Sequence, residues 1–106
     1  MKNSETVLII DTSRSDRILL SLISDGKSIS KIYENKKTTS QILLGSIEGL
    51  LKRSKISIFD LTEVKVKIGP GSFTGLRVGI SVANTLGWLL GINVNGKNGN
   101  ILEPSY

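Results

Sequence analysis

The sequence has neither cysteine nor histidine among its 106 residues. That removes thiolate nucleophiles, disulfides, zinc sites of the usual ligand set and the commonest general base together. Any chemistry would have to rest on Asp, Glu, Lys, Ser or Thr. A secretory leader is not evident either: the opening MKNSE is too short and too polar for an apolar h-region, and a cytoplasmic protein is expected. From Val78 to Gly96 no residue is charged, but Ser81, Asn84, Thr85, Asn93 and Asn95 interrupt the run, so it reads as a buried helix and strand, not a membrane span. Charge is not concentrated. The net +5 is scattered, with small clusters only at Lys36-Lys37 and at Lys52, Arg53 and Lys55, and no aromatics interleave with them for base stacking. A solvated helix end is the favoured reading of the second cluster.

What is present suffices for one folded unit. Hydrophobic residues make up 39% and charged residues 22%, ordinary values for a globular domain, and this length has room for a single core. TVLIID (6–11) is a β-branched run without alternation, the pattern of a central strand buried on both faces. RILLSLI (17–23) and KSISKIY (27–33), joined by Asp25-Gly26, read as a hairpin. Thr38 with Gln41 has capping-box spacing, and a helix follows over 39–54 with Leu43, Ile47, Leu50 and Leu51 on one face. SIFDL (57–61) predicts a single helical turn. VKVKI (64–68) alternates, so Val64, Val66 and Ile68 point one way while Lys65 and Lys67 mark a wet face. A second helix over 74–90 is closed by Gly91, INV (92–94) forms a last short strand, and the polar 96–106 reads as a flexible tail. The order is βββαβαβ, an α/β sheet with two helices on one side.

Between the fourth strand and the second helix lies IGPGSFTGLRVG (68–79), four glycines and a proline in twelve residues. A P-loop needs Gly-Lys-Ser/Thr at the helix head, and a dinucleotide fingerprint needs glycine where Thr74 stands. Neither motif is met. Helix N-termini attract anions, which leaves a weaker phosphate site around Gly71, Ser72 and Thr74 open. The glycines continue into the helix: Gly71, Gly75, Gly79, Ala83, Gly87 and Gly91 recur every four residues and form a ridge. Interior glycine costs roughly 1 kcal/mol of helix propensity relative to alanine, so the ridge implies close approach of another backbone. Val78, Val82 and Leu89 flank the ridge on one side, and Leu76, Ile80 and Leu90 on the other, wider than a helix packed only on its sheet needs. Two readings stand side by side, a partner protein and the first helix of the same domain. Trp88, emerging among polar residues, is either an interface anchor or a cap on the core.

The string IGPGSFTGLRVG, with LIIDTS (8–13) on the first strand and LLGINV (89–94) after the second helix, closely resembles the TsaB (YeaZ) family over about the first 95 residues. The resemblance implies a single lobe, residues 1–95, of the actin-like, Hsp70-like ATPase (RNase H-like) fold that has lost catalysis and holds no metal or cofactor. It further implies a scaffold for the catalytic paralogue TsaD, with the small ATPase TsaE in the wider complex, in making threonylcarbamoyladenosine at position 37 of tRNA. Docking of TsaD, or of a second copy, is then expected on the two helices, through Leu43, Ile47, Leu50, Gly75, Leu76, Gly79, Ile80, Ala83, Gly87 and Trp88. The loop motif comprises Asp11, Gly69, Pro70, Gly71, Ser72, Thr74 and Arg77, with Asp11 in a structural role. The alternatives are a nucleotide-binding or peptidase-like enzyme with a degenerate site around Asp11, Ser72 and Thr74, and an accessory protein that touches tRNA directly. Two departures from the family pattern stand out: relatives usually carry a second lobe of similar size, and the histidine many of them have at the start of the first helix is absent from TTSQILL.

Overall fold

The computed structural model describes residues 5–34, 39–97 and 102–103. Its elements are β1 (Thr6–Asp11), β2 (Arg17–Ser24), β3 (Lys27–Glu34), α1 (Thr39–Arg53), a 3-10 turn (Ile58–Asp60), β4 (Glu63–Val66), α2 (Phe73–Leu90) and β5 (Asn93–Val94). They make one five-stranded sheet in the order β3-β2-β1-β4-β5. The β1–β2 and β2–β3 pairs are antiparallel, whereas β4 joins β1, and β5 joins β4, in parallel. The Asp25-Gly26 turn closes the β2–β3 hairpin with both residues at positive φ, as its sequence predicts.

Alternation along β1 decides where the core sits. Leu8 and Ile10 are fully buried and, with Leu20 and Val64 of the neighbouring strands, pack on Leu43 and Leu50 of α1 and Ile80 and Ala83 of α2. Both helices therefore cover one face. On the opposite face Lys65 and Lys67 are exposed, as expected, but so are Leu19, Ile23 and Ile32 of β2 and β3. The expectation that β1 is covered on both faces is corrected accordingly. Ile9 is only half-buried, and Val7 is screened in the sheet plane, lying between Ile23 and Glu63.

Element ends follow local chemistry. Ser72 caps α2 by accepting the Gly75 N–H at 3.2 Å, which starts the helix one residue before the expected Thr74. Gly91 closes it at φ 66°, a left-handed conformation that suits glycine. Ser57 and Asp60 cap the 3-10 turn reciprocally, with Phe59 N–H donating to Ser57 Oγ at 3.2 Å and Ser57 N–H to Asp60 Oδ2 at 3.0 Å. Thr38, the expected cap of α1, and the Lys36-Lys37 cluster lie outside the described residues. Strand β5 is only two residues long because the chain turns back at Asn95-Gly96, both at positive φ; Asn95 N–H still bonds Val64 C=O at 2.9 Å, and its side-chain amide accepts from Val66 N–H at 2.8 Å and donates to Val66 C=O at 3.0 Å, extending the ladder. Past residue 96 the chain is held at Leu102, whose N–H and C=O both bond the Asn84 amide at 3.3 Å, an anchor the flexible-tail reading did not contain.

Leu50 lies at the centre of the helix–sheet contact and is fully buried. Leu50→Ala is expected to destabilise the fold by about 2–5 kcal/mol through the cavity it leaves, whereas Lys65→Ala on the wet face should stay within about 0.5 kcal/mol. Urea unfolding of the two variants checks the contrast.

Candidate functional site

The Gly-rich loop meets the carboxyl end of β1, and the residues Asp11, Thr12 and Ser13 organise the meeting. Asp11 Oδ1 accepts the Ser13 N–H at 3.0 Å and the Ser13 hydroxyl at 2.6 Å, a turn built by the side chain on the backbone just after it. Ser13 C=O in turn accepts the Ser72 N–H at 2.7 Å. Asp11 thus reaches the loop through Ser13 and not by direct contact.

The anion reading of the loop weakens once its donors are followed. Ser72 N–H is taken by Ser13, Gly75 N–H by the Ser72 hydroxyl, and Leu76 N–H by Ser72 C=O at 2.9 Å. Those donors face the protein's own acceptors. Gly69 adopts φ 148°, a conformation restricted to glycine, and precedes a cis bond to Pro70. Pro70, Gly71 and Thr74 are exposed on the outside of the turn, and Arg77 stacks over the Phe73 ring at 5.3 Å. The expected grouping of Asp11, Ser72 and Thr74 is therefore not formed: Ser13 bridges the first two and Thr74 faces outward. Among the described residues no cluster of three or more Asp, Glu, His or Cys side chains could hold a metal ion.

Thr12 was not singled out from the sequence, yet it fixes the whole arrangement. It is fully buried, on the same side of β1 as Leu8 and Ile10, and its hydroxyl donates to Gly75 C=O at 2.6 Å. A Cβ at Gly75 would run into Thr12 C=O, and one at Gly79 into Thr12 Oγ1. Farther along, a Cβ at Gly87 would strike the Val94 side chain of β5. At Gly71 it would sit 2.5 Å from Ser13 C=O. The ridge does mark a close backbone approach, as its spacing implies, but what approaches is the chain's own sheet, at the carboxyl end of central β1 and at β5.

This corrects most of the expected partner surface. Leu43, Ile47, Leu50, Leu76, Ile80 and Ala83 are buried in the core, and Gly75, Gly79 and Gly87 are buried beneath α2. Of the ten, only Trp88 is open to solvent, at 81% exposure. The physical reason is that a small-residue ridge and the core stripe of a sheet-packed helix have the same period, so the sequence alone does not tell them apart. What the two helices do present outward is different. On α1, Leu44, Gly45, Glu48 and Gly49 are exposed, and on α2 so are Trp88 and Leu89. Leu44, Ile47 and Leu51 of α1, Leu86 of α2 and Ile56 and Ile58 beside the 3-10 turn line an apolar groove of about 430 Å³.

The family described as TsaD, tRNA N6-adenosine threonylcarbamoyltransferase, matches residues 31–98. The tRNA threonylcarbamoyladenosine biosynthesis protein TsaB of Bacillus subtilis (strain 168) is 34% identical over 90 residues, 85% of this chain and 39% of the relative. The protein of the same name from Buchnera aphidicola subsp. Schizaphis graminum is 36% identical over 94 residues, 88% of this chain and 44% of the relative. The solved structure of YeaZ from Pseudomonas aeruginosa superposes with a TM-score of 0.80 at 28% identity, covering 85% of this chain and 42% of that one. The chain thus spans about two fifths of the length of these relatives.

Gly79→Ala is expected to cost about 1–3 kcal/mol through its clash with Thr12, although alanine is the better helix former by about 1 kcal/mol. Combining it with Thr12→Ala, which removes the clashing atoms, should cost less than the sum of the two single changes by at least about 0.5 kcal/mol. Strict additivity in chemical denaturation would remove Thr12 from its place under the ridge.

Proposed function

The chain belongs to the TsaD family, in its TsaB (YeaZ) group, with the actin-like, RNase H-like α/β lobe of that family, and from this premise we propose that it acts in forming threonylcarbamoyladenosine on tRNA as a non-catalytic partner of TsaD. In this reading TsaD docks on the outward sides of α1 and α2, TsaE joins the wider assembly, and tRNA is met through TsaD. A second copy of the chain competes for the same surface.

The observation that carries the reading is a difference between two sets of glycines. The buried glycines of α2 each have a neighbour that leaves no room for a side chain, whereas Gly45 and Gly49 of α1, also four residues apart, have nothing within 4 Å of where a Cβ would stand. Nothing within the described residues accounts for them, and each costs roughly 1 kcal/mol of helix propensity relative to alanine. A second backbone laid against this side of α1 would account for both. Exposed apolar residues of the two helices support it: Leu44, 62% exposed, lines the groove with Leu86, and Trp88 and Leu89 stand open at the end of α2. Exposed aliphatic and aromatic anchors beside small residues suit helix-on-helix docking. The non-catalytic part of the reading is supported by Asp11, whose carboxylate is engaged within its own turn.

The paired variant Gly45→Leu/Gly49→Leu separates folding from docking. It is expected to raise the stability of the isolated chain by about 1 kcal/mol or more, since leucine is the better helix former and the space is empty. The same variant should weaken co-elution with TsaD at least about tenfold, equivalent to about 1.4 kcal/mol, and lower the threonylcarbamoyladenosine content of tRNA in cells that depend on the chain. Unchanged co-elution with TsaD would overturn the docking surface, and failure of the unaltered chain to co-elute would overturn the partnership.

A further inference from the structure

We propose that Asn95 is a site of spontaneous covalent modification, deamidation across the Asn95-Gly96 bond, which the fold suppresses by pinning the Asn95 side chain on β4 and which, once it has occurred, loosens β5 beneath the end of α2.

The residue pair supplies the chemistry. When glycine follows asparagine, the next backbone nitrogen reaches the side-chain amide most readily, because glycine has no Cβ to hinder the approach. Only Asn95-Gly96 and Asn98-Gly99 have this order in the sequence, and the first lies within the described residues. In the reaction the Gly96 nitrogen attacks Asn95 Cγ. The new C–N bond closes a five-membered succinimide, the Cγ–Nδ2 bond breaks, and the side-chain nitrogen leaves as ammonia with the proton that Gly96 gives up. Water then opens the ring at either carbonyl to give aspartate or isoaspartate, with no change of oxidation state.

The fold opposes the first step. Asn95 at φ 53° and Gly96 at φ 77° form a two-residue turn between Val94 and Lys97, which exchange backbone bonds at 3.0 Å in both directions. Asn95 N–H is held by Val64 C=O at 2.9 Å, and its side-chain amide is held by both backbone groups of Val66. Closing the succinimide turns Cγ toward Gly96 and gives up both Val66 bonds, so the reaction proceeds through molecules in which this corner has opened.

The products do not restore what the corner loses. Asparagine matches Val66 because one end of its amide accepts while the other donates. Aspartate only accepts, so it can take the Val66 N–H but sets its second oxygen against Val66 C=O, and isoaspartate also lengthens the main chain within the turn. The consequence reaches α2. Val94, the neighbour of Asn95, is buried and fills the space a Cβ of Gly87 would take, and Gly87 C=O accepts the Gly91 N–H and, at 3.0 Å, the Ile92 N–H. Asn95 thus holds the strand on which the last turn of α2 rests.

Tryptic mapping of the full chain aged in mildly alkaline buffer tests the first part, since cleavage after Lys97 puts Asn95 and Asn98 on different peptides. Deamidation of Asn95 is expected to run at least about tenfold more slowly in the folded chain than in a free peptide of residues 91–97 in the same buffer. Asn95→Asp is expected to lower the thermal midpoint by at least about 4 °C and to move the NMR signals of Val66, Gly87, Trp88 and Val94 while leaving those of Asp11 and Ser13 in place. Should that variant not fold, the partly aged chain supplies the same comparison, as a second set of signals at these residues that grows in step with the converted peptide. Equal rates in the folded chain and the free peptide would overturn the proposal. So would an Asn95→Asp chain, or an aged one, whose midpoint and signals match those of the unaltered chain.

Discussion

Everything on the helix side of this lobe depends on how closely α2 can lie over the end of β1. The distance is set by Thr12, whose hydroxyl is bonded to Gly75 C=O and whose side chain occupies the space a Cβ of Gly79 would take. With α2 held there, Ile80 and Ala83 reach the core, Ser72 reaches Ser13, and the Gly-rich turn is drawn against the Asp11 turn. A threonine is well suited to the position. Its hydroxyl satisfies a buried carbonyl, and its methyl group fills space beside a helix that has no side chains on that ridge.

The glycines are best understood as two populations under the same thermodynamic charge. Every helical glycine costs propensity, and the cost is recovered only where closeness brings contacts. On α2 the recovery is internal, through Thr12 and Val94. On α1 it is not internal, and the same cost at Gly45 and Gly49 is left without return within the described residues. The helix whose glycines looked most like a docking ridge in the sequence is thus explained by its own sheet, and the helix whose glycines drew no notice presents the unexplained pair.

The sequence made the order of elements legible because its signals were local. Alternation in VKVKI, the Asp25-Gly26 turn and the left-handed cap at Gly91 each depend on a few adjacent residues. The candidate site was less legible, since its decisive contacts join residues far apart in the chain. Thr12 lies 63 positions from its carbonyl partner at Gly75, and no local pattern distinguishes it from any threonine at a strand end. Periodicity could show that α2 has a ridge, but not whether sheet or solvent lies beneath it. The Asn95 and Asn84 clamps were hidden for the same reason, as their side chains bond backbone 29 and 18 residues away.

The two faces of the sheet show why charge pattern and apolar pattern must be read together. Lys65 and Lys67 mark the face opposite the helices as solvated, and that holds over β4. Two strands over, the same face carries Leu19 beside Ile32 in register, between the pairs Arg17–Glu34 and Ser21–Ser30. A strand buried on one side alternates strictly only if its other side is meant for water. β4 obeys this rule, whereas β2, reading RILLSLIS, places isoleucine and leucine on both sides. The departure is not one of β propensity, which Thr at positions 19 and 23 would serve about as well on a wet face. It is a departure in burial: within one sheet β4 alternates strictly, whereas β2 leaves Leu19 and Ile23 exposed on the face opposite the helices.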